Sequence, residues 1–156
     1  MIQIDKKLIS DLFDQAIVSD RKRMNFDLRT SASDNSQRML NALLPGTDVP
    51  VHRHPKSNEN VICLCGKLVE ILYDSEGNET ERIMLDPSVG NFGCVVPAGV
   101  WYTVEVFEPS VIYEAKDGRY GEDGSETFGA ITKTEPKNAE SNFRNSLGDL
   151  KKTLST

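Results

Sequence analysis

Residues 46–66 read GTDVPVHRHPKSNENVICLCG. The chain has two histidines, His52 and His54, and both fall in this stretch, with Glu59 shortly after them. Side chains of a β-strand repeat every second residue, so His52 and His54 point to one face. Pro55 to Asn58 carry turn chemistry, and a returning strand brings Glu59 back beside the imidazoles. Two imidazoles and a carboxylate make a three-ligand set with open positions, suited to one divalent Zn, Fe, Mn, Ni or Co ion. Open positions hold water or substrate, which points to a working site rather than a closed structural one. An isolated His-x-His would otherwise be read as two surface histidines on a turn with a solvated glutamate. The flanking Gly46 and Gly66 and the β-prone surroundings weigh against that reading.

N-terminal to this stretch, Leu8, Ile9, Leu12, Phe13, Ala16 and Ile17 recur at helical spacing over residues 5–20. They predict an amphipathic helix, N-capped by Asp5, with its stripe packed on the outside of a barrel. Between Met24 and Ala115 short β-prone runs follow one another, at 24–28, 38–44, 49–53, 60–64, 67–73, 81–85, 94–96, 102–107 and 111–115. Turn residues separate them, among them Pro45-Gly46, Gly66, Pro97 to Gly99 and Glu108-Pro109. Many short strands with regular turns predict an all-β sandwich or barrel. Residues 116–129 are polar and glycine-rich and read as a loop. Further on, Phe143, Leu147, Leu150 and Leu154 stand at helical spacing in a polar C-terminal extension. A short helix there is weakened at Gly148 by about 1 kcal/mol relative to Ala. It is expected either to be poorly ordered or to dock on a partner subunit. The organisation expected is one domain overall: an N-terminal helix in 1–22, a barrel in 23–130 and the extension in 131–156.

The full pattern of the opening stretch, Gly-x5-His-x-His-x4-Glu-x6-Gly from Gly46 to Gly66, matches the first motif of the cupin superfamily without a gap. The resemblance implies a double-stranded β-helix, a jelly-roll-like barrel. A longer set of segments resembles the WbuC-type cupin metalloproteins of O-antigen gene clusters. These are RMNFDLR (23–29), QRMLNALLPGTDVPVHRHP (37–55), VPAGVWYTV (96–104) and VIYEAKDGRY (111–120). This resemblance covers roughly residues 20–130. It implies a setting in bacterial surface-polysaccharide or sugar metabolism, with a sugar or nucleotide sugar as ligand, more than it implies a reaction.

The second cupin motif, Gly-x5-Pro-x-Gly-x2-His-x3-Asn, is kept only in part. Pro97 and Gly99 hold their spacing, Gly90 stands one residue too far, and the positions of the His and the Asn fall on Tyr102 and Val106. The family's fourth ligand is therefore replaced by Tyr102. Three roles are open to it: a phenolate ligand whose pKa of about 10 the cation pulls down, a proton donor or acceptor toward substrate, or a space-filler beside a water that completes the coordination. Other polar residues on barrel strands are costly to bury unless they work or are paired. Arg38 and Asn41 are candidates for substrate binding, with an ion-paired or surface arginine as the plainer reading of Arg38. Glu114 and Lys116 alternate on the last barrel strand and join Tyr102 as catalytic candidates, with an internal ion pair as the alternative. Trp101 and Phe92 line the mouth or pack. An isomerase, an epimerase, a metal-dependent dioxygenase and a non-catalytic ligand-binding or sensing cupin all stay open.

The chain is 156 residues long, which suits one domain with a single core, and has a net charge of −6. Its 38% hydrophobic residues are somewhat few, so part of the length is expected as solvated tail or loop. It has no basic patch interleaved with aromatics, so nucleic acid is not expected as a partner. No apolar run reaches the roughly 20 residues that span a bilayer. The start, MIQIDKKLISDLFDQ, has acidic residues where a signal peptide is apolar, which predicts a cytoplasmic protein. Cys63, Cys65 and Cys94 are expected as free thiols, with Cys63 and Cys65 on one face of a strand as core residues. A homodimer is expected, since cupin barrels commonly pair through exposed sheet faces or edges.

Overall fold

Two long strands carry the architecture. The computed structural model describes residues 1–129. Its elements are α1 (Lys6–Val18), β1 (Arg23–Asp27), β2 (Ser36–Leu43), β3 (His52–Arg53), β4 (Glu59–Tyr73), β5 (Glu79–Leu85), a 3-10 turn (Pro87–Val89), β6 (Gly93–Val96), β7 (Trp101–Asp117) and β8 (Glu126–Thr127). Every pairing is antiparallel, in the order β1–β2–β7–β3–β8, and β4 joins β7 along one edge and β5 and β6 along the other. The sheet rolls into a two-layered β-sandwich without closing. No helix among the described residues is long and apolar enough to cross a membrane. The expected C-terminal extension lies outside the described residues.

β4 and β7 each take the place of two expected strands. Gly66 and Glu108-Pro109, read as turns, instead face each other in a bulged stretch where the register shifts between Cys63 and Leu68. Gly66 has φ +91°, and Lys67 N–H donates to Ser110 Oγ at 3.0 Å. A bulge bends a strand and sharpens its twist without ending it. The bend brings the two ends of β7 to one end of the molecule: Tyr102 pairs with His52 on β3, while Lys116 pairs with Glu59 at the start of β4.

The same bulge corrects the reading of the cysteines. Cys63 belongs to the interior cluster with Leu43, Val61, Leu68, Leu85, Val104, Val106 and Ile112. Cys65 packs instead against the helix-side cluster, because the register shift between Cys63 and Cys65 breaks the alternation. Burial pushes the Cys63 thiol up to about 12 and the Cys65 thiol up to about 11, so both stay protonated near neutrality.

The helix forms where its sequence predicts. Asp5 caps it by accepting from Leu8 N–H at 2.9 Å. Ile9, Leu12, Phe13 and Ala16 are buried against Leu40, Ala42, Leu44 and Val111, outside the interior cluster. Each fully buried Leu or Phe contributes roughly 1.5–3 kcal/mol. The opposite face of β2 carries Gln37, Asn41 and Leu43 inward. β3 is shorter than the expected 49–53 run, and Pro50, which has no N–H to give a ladder, accounts for its late start. The supposed loop 116–129 ends β7 at Asp117 and then pairs Glu126 and Thr127 with β3.

Candidate metal centre

The interior changes character along its strands. Ile112 of β7 is followed inward by Glu114 and Lys116, and Cys63 and Val61 of β4 are preceded by Glu59. These polar residues, with Tyr102, His52 and His54, meet at one end of the sandwich. The ligand atoms offered by His52, His54 and Glu59 all lie within 4.8 Å of one another. His54 Nε2 stands 3.5 Å from Glu59 Oε2.

Both imidazoles are oriented from behind. His52 Nδ1 is 2.8 Å from the Pro50 carbonyl, and His54 Nδ1 is 3.0 Å from Asp123 Oδ2. A carbonyl and a carboxylate only accept, so each Nδ1 carries the proton and each Nε2 presents a lone pair. Burial lowers both histidines, His52 to about 4, which keeps the rings neutral as ligation requires. Burial raises Glu59 well above the usual carboxylate range, and the neighbouring Glu114 adds to this, while Lys116, with Nζ 3.6 Å away, opposes it.

The fit to a cation rests on atoms left without partners. His54 Nε2, Glu59 Oε2 and the Tyr102 hydroxyl are buried and make no hydrogen bond among the described residues. An unsatisfied buried polar group costs about 1–3 kcal/mol. A divalent cation placed among these atoms would satisfy the nitrogen and the carboxylate and reverse the electrostatics that hold a proton on Glu59. The donor set, two neutral nitrogens and a carboxylate oxygen, suits a borderline divalent metal.

Tyr102 lies directly opposite His52, with ring centroids 4.3 Å apart, and 6.2 Å from the His54 ring. Glu114 receives Asn41 Nδ2 at 3.5 Å, so Asn41 reaches the polar cluster through Glu114. Arg38 does not join them. It is three residues from Asn41 and therefore on the other face of β2, where it pairs with Asp34 at 2.7 Å and bonds Ser36. There it lines an outer cleft of about 480 Å³ with Ser36, Lys56, Asn58 and Asn60. Trp101 meets Phe128 at 4.9 Å and lies under the Arg53 guanidinium, while Phe92 is exposed.

Three residues at this end were missed from sequence. Asp123 holds His54, and Gln37 Nε2 in turn donates to Asp123 Oδ2 at 3.2 Å. Asp123 was one of several acids in a glycine-rich run, with nothing local to single it out. Gln37 was legible, because it shares parity with Asn41 and Leu43. Glu70, 2% exposed, is a charge inside the apolar run KLVEILY, which was itself a signal.

The family model described as "Domain of unknown function (DUF6016)" matches residues 4–85. That span holds the helix, β1 to β5 and all three candidate ligands, but not Tyr102, Glu114 or Lys116. No curated protein matches the chain. Among solved structures, TT1209 from Thermus thermophilus is 22% identical, with a TM-score of 0.56, covering 76% of this chain and 99% of that one. An oxalate decarboxylase formate complex from Lactobacillus farciminis is 15% identical, with a TM-score of 0.52, covering 68% of this chain and 30% of that one. The Schizosaccharomyces pombe Cnp3 cupin domain is 13% identical, with a TM-score of 0.50, covering 62% of this chain and 65% of that one. At such identities the likeness establishes the fold, and the fold is a cupin.

Proposed function

The chain belongs to the DUF6016 family, whose description assigns no activity; from the site we propose a metal-binding cupin that takes a small polar ligand, and the resemblance to WbuC-type cupins makes that ligand sugar-like. His52 Nε2, His54 Nε2 and Glu59 would hold one divalent cation, with the Tyr102 hydroxyl as the candidate fourth ligand. The observation that carries this is the set of buried, unpartnered atoms on His54, Glu59 and Tyr102, beside two imidazoles whose Nδ1 atoms are already engaged. The cation, when bound, polarises a ligand oxygen as a Lewis acid.

The protein's own groups do the rest. Lys116 steadies the Glu59 carboxylate. Glu114, held by Asn41, is placed to accept or return a ligand hydroxyl proton. The resemblance of segments 23–29, 37–55, 96–104 and 111–120 to WbuC-type cupins supports a role in bacterial surface-polysaccharide or sugar metabolism. The same reading has the protein in the cytoplasm as a homodimer, without nucleic-acid or membrane partners.

Elemental analysis of the purified full chain tests the reading. It is expected to find one divalent metal per chain, and a metal-free protein that takes up none of Zn(II), Mn(II), Fe(II) or Ni(II) would sink it. Tyr102→Phe separates the roles of the phenol. Loss of a fourth ligand is expected to weaken metal binding about 10-fold or more, as even outer-shell partners are worth 10–100-fold. Unchanged affinity in a competition titration would remove Tyr102 from the ligand set.

A further inference from the structure

Residues 118–128 leave the end of β7 and return as a strap along the free edge of β3, the strand that carries His52. At its start Gly118 N–H donates to the Asn35 carbonyl at 2.7 Å, and at its end Phe128 N–H donates to the Val51 carbonyl at 2.8 Å. Between these anchors β8 pairs with His52 and Arg53, and Arg53 pairs with Glu126. In the middle Asp123 is 7% exposed, which is unusual for an acid in a glycine-rich surface segment. Its Oδ2 meets His54 Nδ1 at 3.0 Å and Gln37 Nε2 at 3.2 Å, and its Oδ1 accepts from Ser125 N–H at 3.2 Å. Gln37, 2% exposed, also donates to the Gly118 carbonyl at 3.2 Å. One buried amide thus ties the carboxylate to the root of the strap. Gly118 has φ +98°, and a Cβ there would lie 2.9 Å from Asp123 Cβ, so the turn that delivers Asp123 requires glycine.

We propose that this strap is a working part of the metal centre: Asp123 is a positioning residue that fixes His54 with Nε2 facing the cation, so that strap docking and metal binding strengthen each other. The proposal rests on the reading that His54 ligates a divalent cation. Released from Asp123, the imidazole is free to rotate or to adopt the other tautomer, which would aim an N–H at the cation. Coupling of this kind is reciprocal. Whatever factor the docked strap contributes to metal affinity, bound metal returns as a factor in keeping the strap docked. The strap would then close the β3 side of the site in proportion to metal occupancy.

The test uses the full chain and Zn(II) alone. Zinc affinity is measured by competition against a chromophoric chelator, and amide exchange is followed across residues 118–128 with and without zinc. Asp123→Ala is expected to weaken zinc about 10–100-fold, the usual effect of losing an outer-shell partner of a ligating histidine. Asp123→Asn keeps an acceptor oxygen at the same position and is expected to recover most of the loss, whereas Asp123→Leu, which fills the same volume without an acceptor, is not. Rescue by Leu as well would reduce Asp123 to packing and overturn the proposal. In the unmodified protein saturating zinc should slow exchange in the strap by a comparable factor, and this measurement needs no variant to fold. Wild-type zinc affinity in Asp123→Ala, or strap exchange indifferent to zinc, overturns the proposal. His52→Ala keeps the two ideas apart. If that variant loses zinc while Asp123→Ala does not, only the strap proposal fails; if it keeps zinc, the ligand reading itself fails.

Discussion

His52→Ala should strip the protein of its metal while leaving the sandwich folded. The variant removes one of the proposed ligands, so affinity should fall by more than the roughly 100-fold that loss of an outer-shell partner can cost. Neither histidine belongs to the apolar clusters that hold the layers together. Thermal unfolding with and without added metal separates the two effects. A ligand that binds only the folded state stabilises it by RT ln(1 + [L]/Kd), about 2.7 kcal/mol at a hundredfold excess over Kd. Wild type should therefore gain several degrees on metal addition, and His52→Ala should gain none, while the metal-free melting temperatures stay close. Stoichiometric metal in the purified variant would falsify the ligand assignment.

The convergence of His52, His54 and Glu59 was legible because its geometry is local. A period of two aligns His52 with His54, and one turn returns Glu59, so a short stretch of chain contains the whole arrangement. The inner residues of β7 were also legible in kind, since Glu114 and Lys116 break an apolar alternation that runs through Ile112. Parity would have separated Arg38 from Asn41 as well: residues an odd number apart on one strand face opposite ways, and the structure puts Arg38 in an outer ion pair with Asp34.

What the chain did not disclose lies in contacts between distant segments. Asp123 reaches His54 across 69 residues, and no spacing rule connects a glycine-rich run to a strand so far upstream. Glycine with positive φ and proline also serve turns and bulges alike. Gly66 and Glu108-Pro109 were therefore read as two chain reversals, when together they make one bend shared by β4 and β7. The consequence is functional. Two independent hairpins would leave Tyr102 and Lys116 on different strands with no fixed relation. A single bent β7 brings both to the end where His52 and Glu59 stand.

Gly66→Ala should accordingly be among the most damaging single-methyl changes in the chain. Two costs combine. The backbone at Gly66 has φ +91°, where an L side chain costs roughly 1–2 kcal/mol. A Cβ there would also lie 2.6 Å from Ser110 Cα and overlap the Pro109 carbonyl oxygen, both backbone atoms of the facing strand. Such overlap cannot be relieved by turning a side chain; β7 must move, at a typical cost of about 1–3 kcal/mol for overpacking. The sum, roughly 2–5 kcal/mol, is a large share of the 5–15 kcal/mol that stabilises an ordinary domain. Gly90→Ala is the control, because Gly90 has φ +87° but no heavy atom within 4 Å of an added Cβ. It carries the conformational cost without the clash. Urea unfolding of the two variants should show Gly66→Ala lower in stability by the difference, about 1–3 kcal/mol. Equal losses would mean that β7 yields freely at Pro109 and Ser110, and that the bend is not held by close backbone approach. Because the bend also sets where Tyr102 and Lys116 meet β3 and β4, any folded Gly66→Ala protein should bind metal more weakly than wild type despite an intact His52, His54 and Glu59.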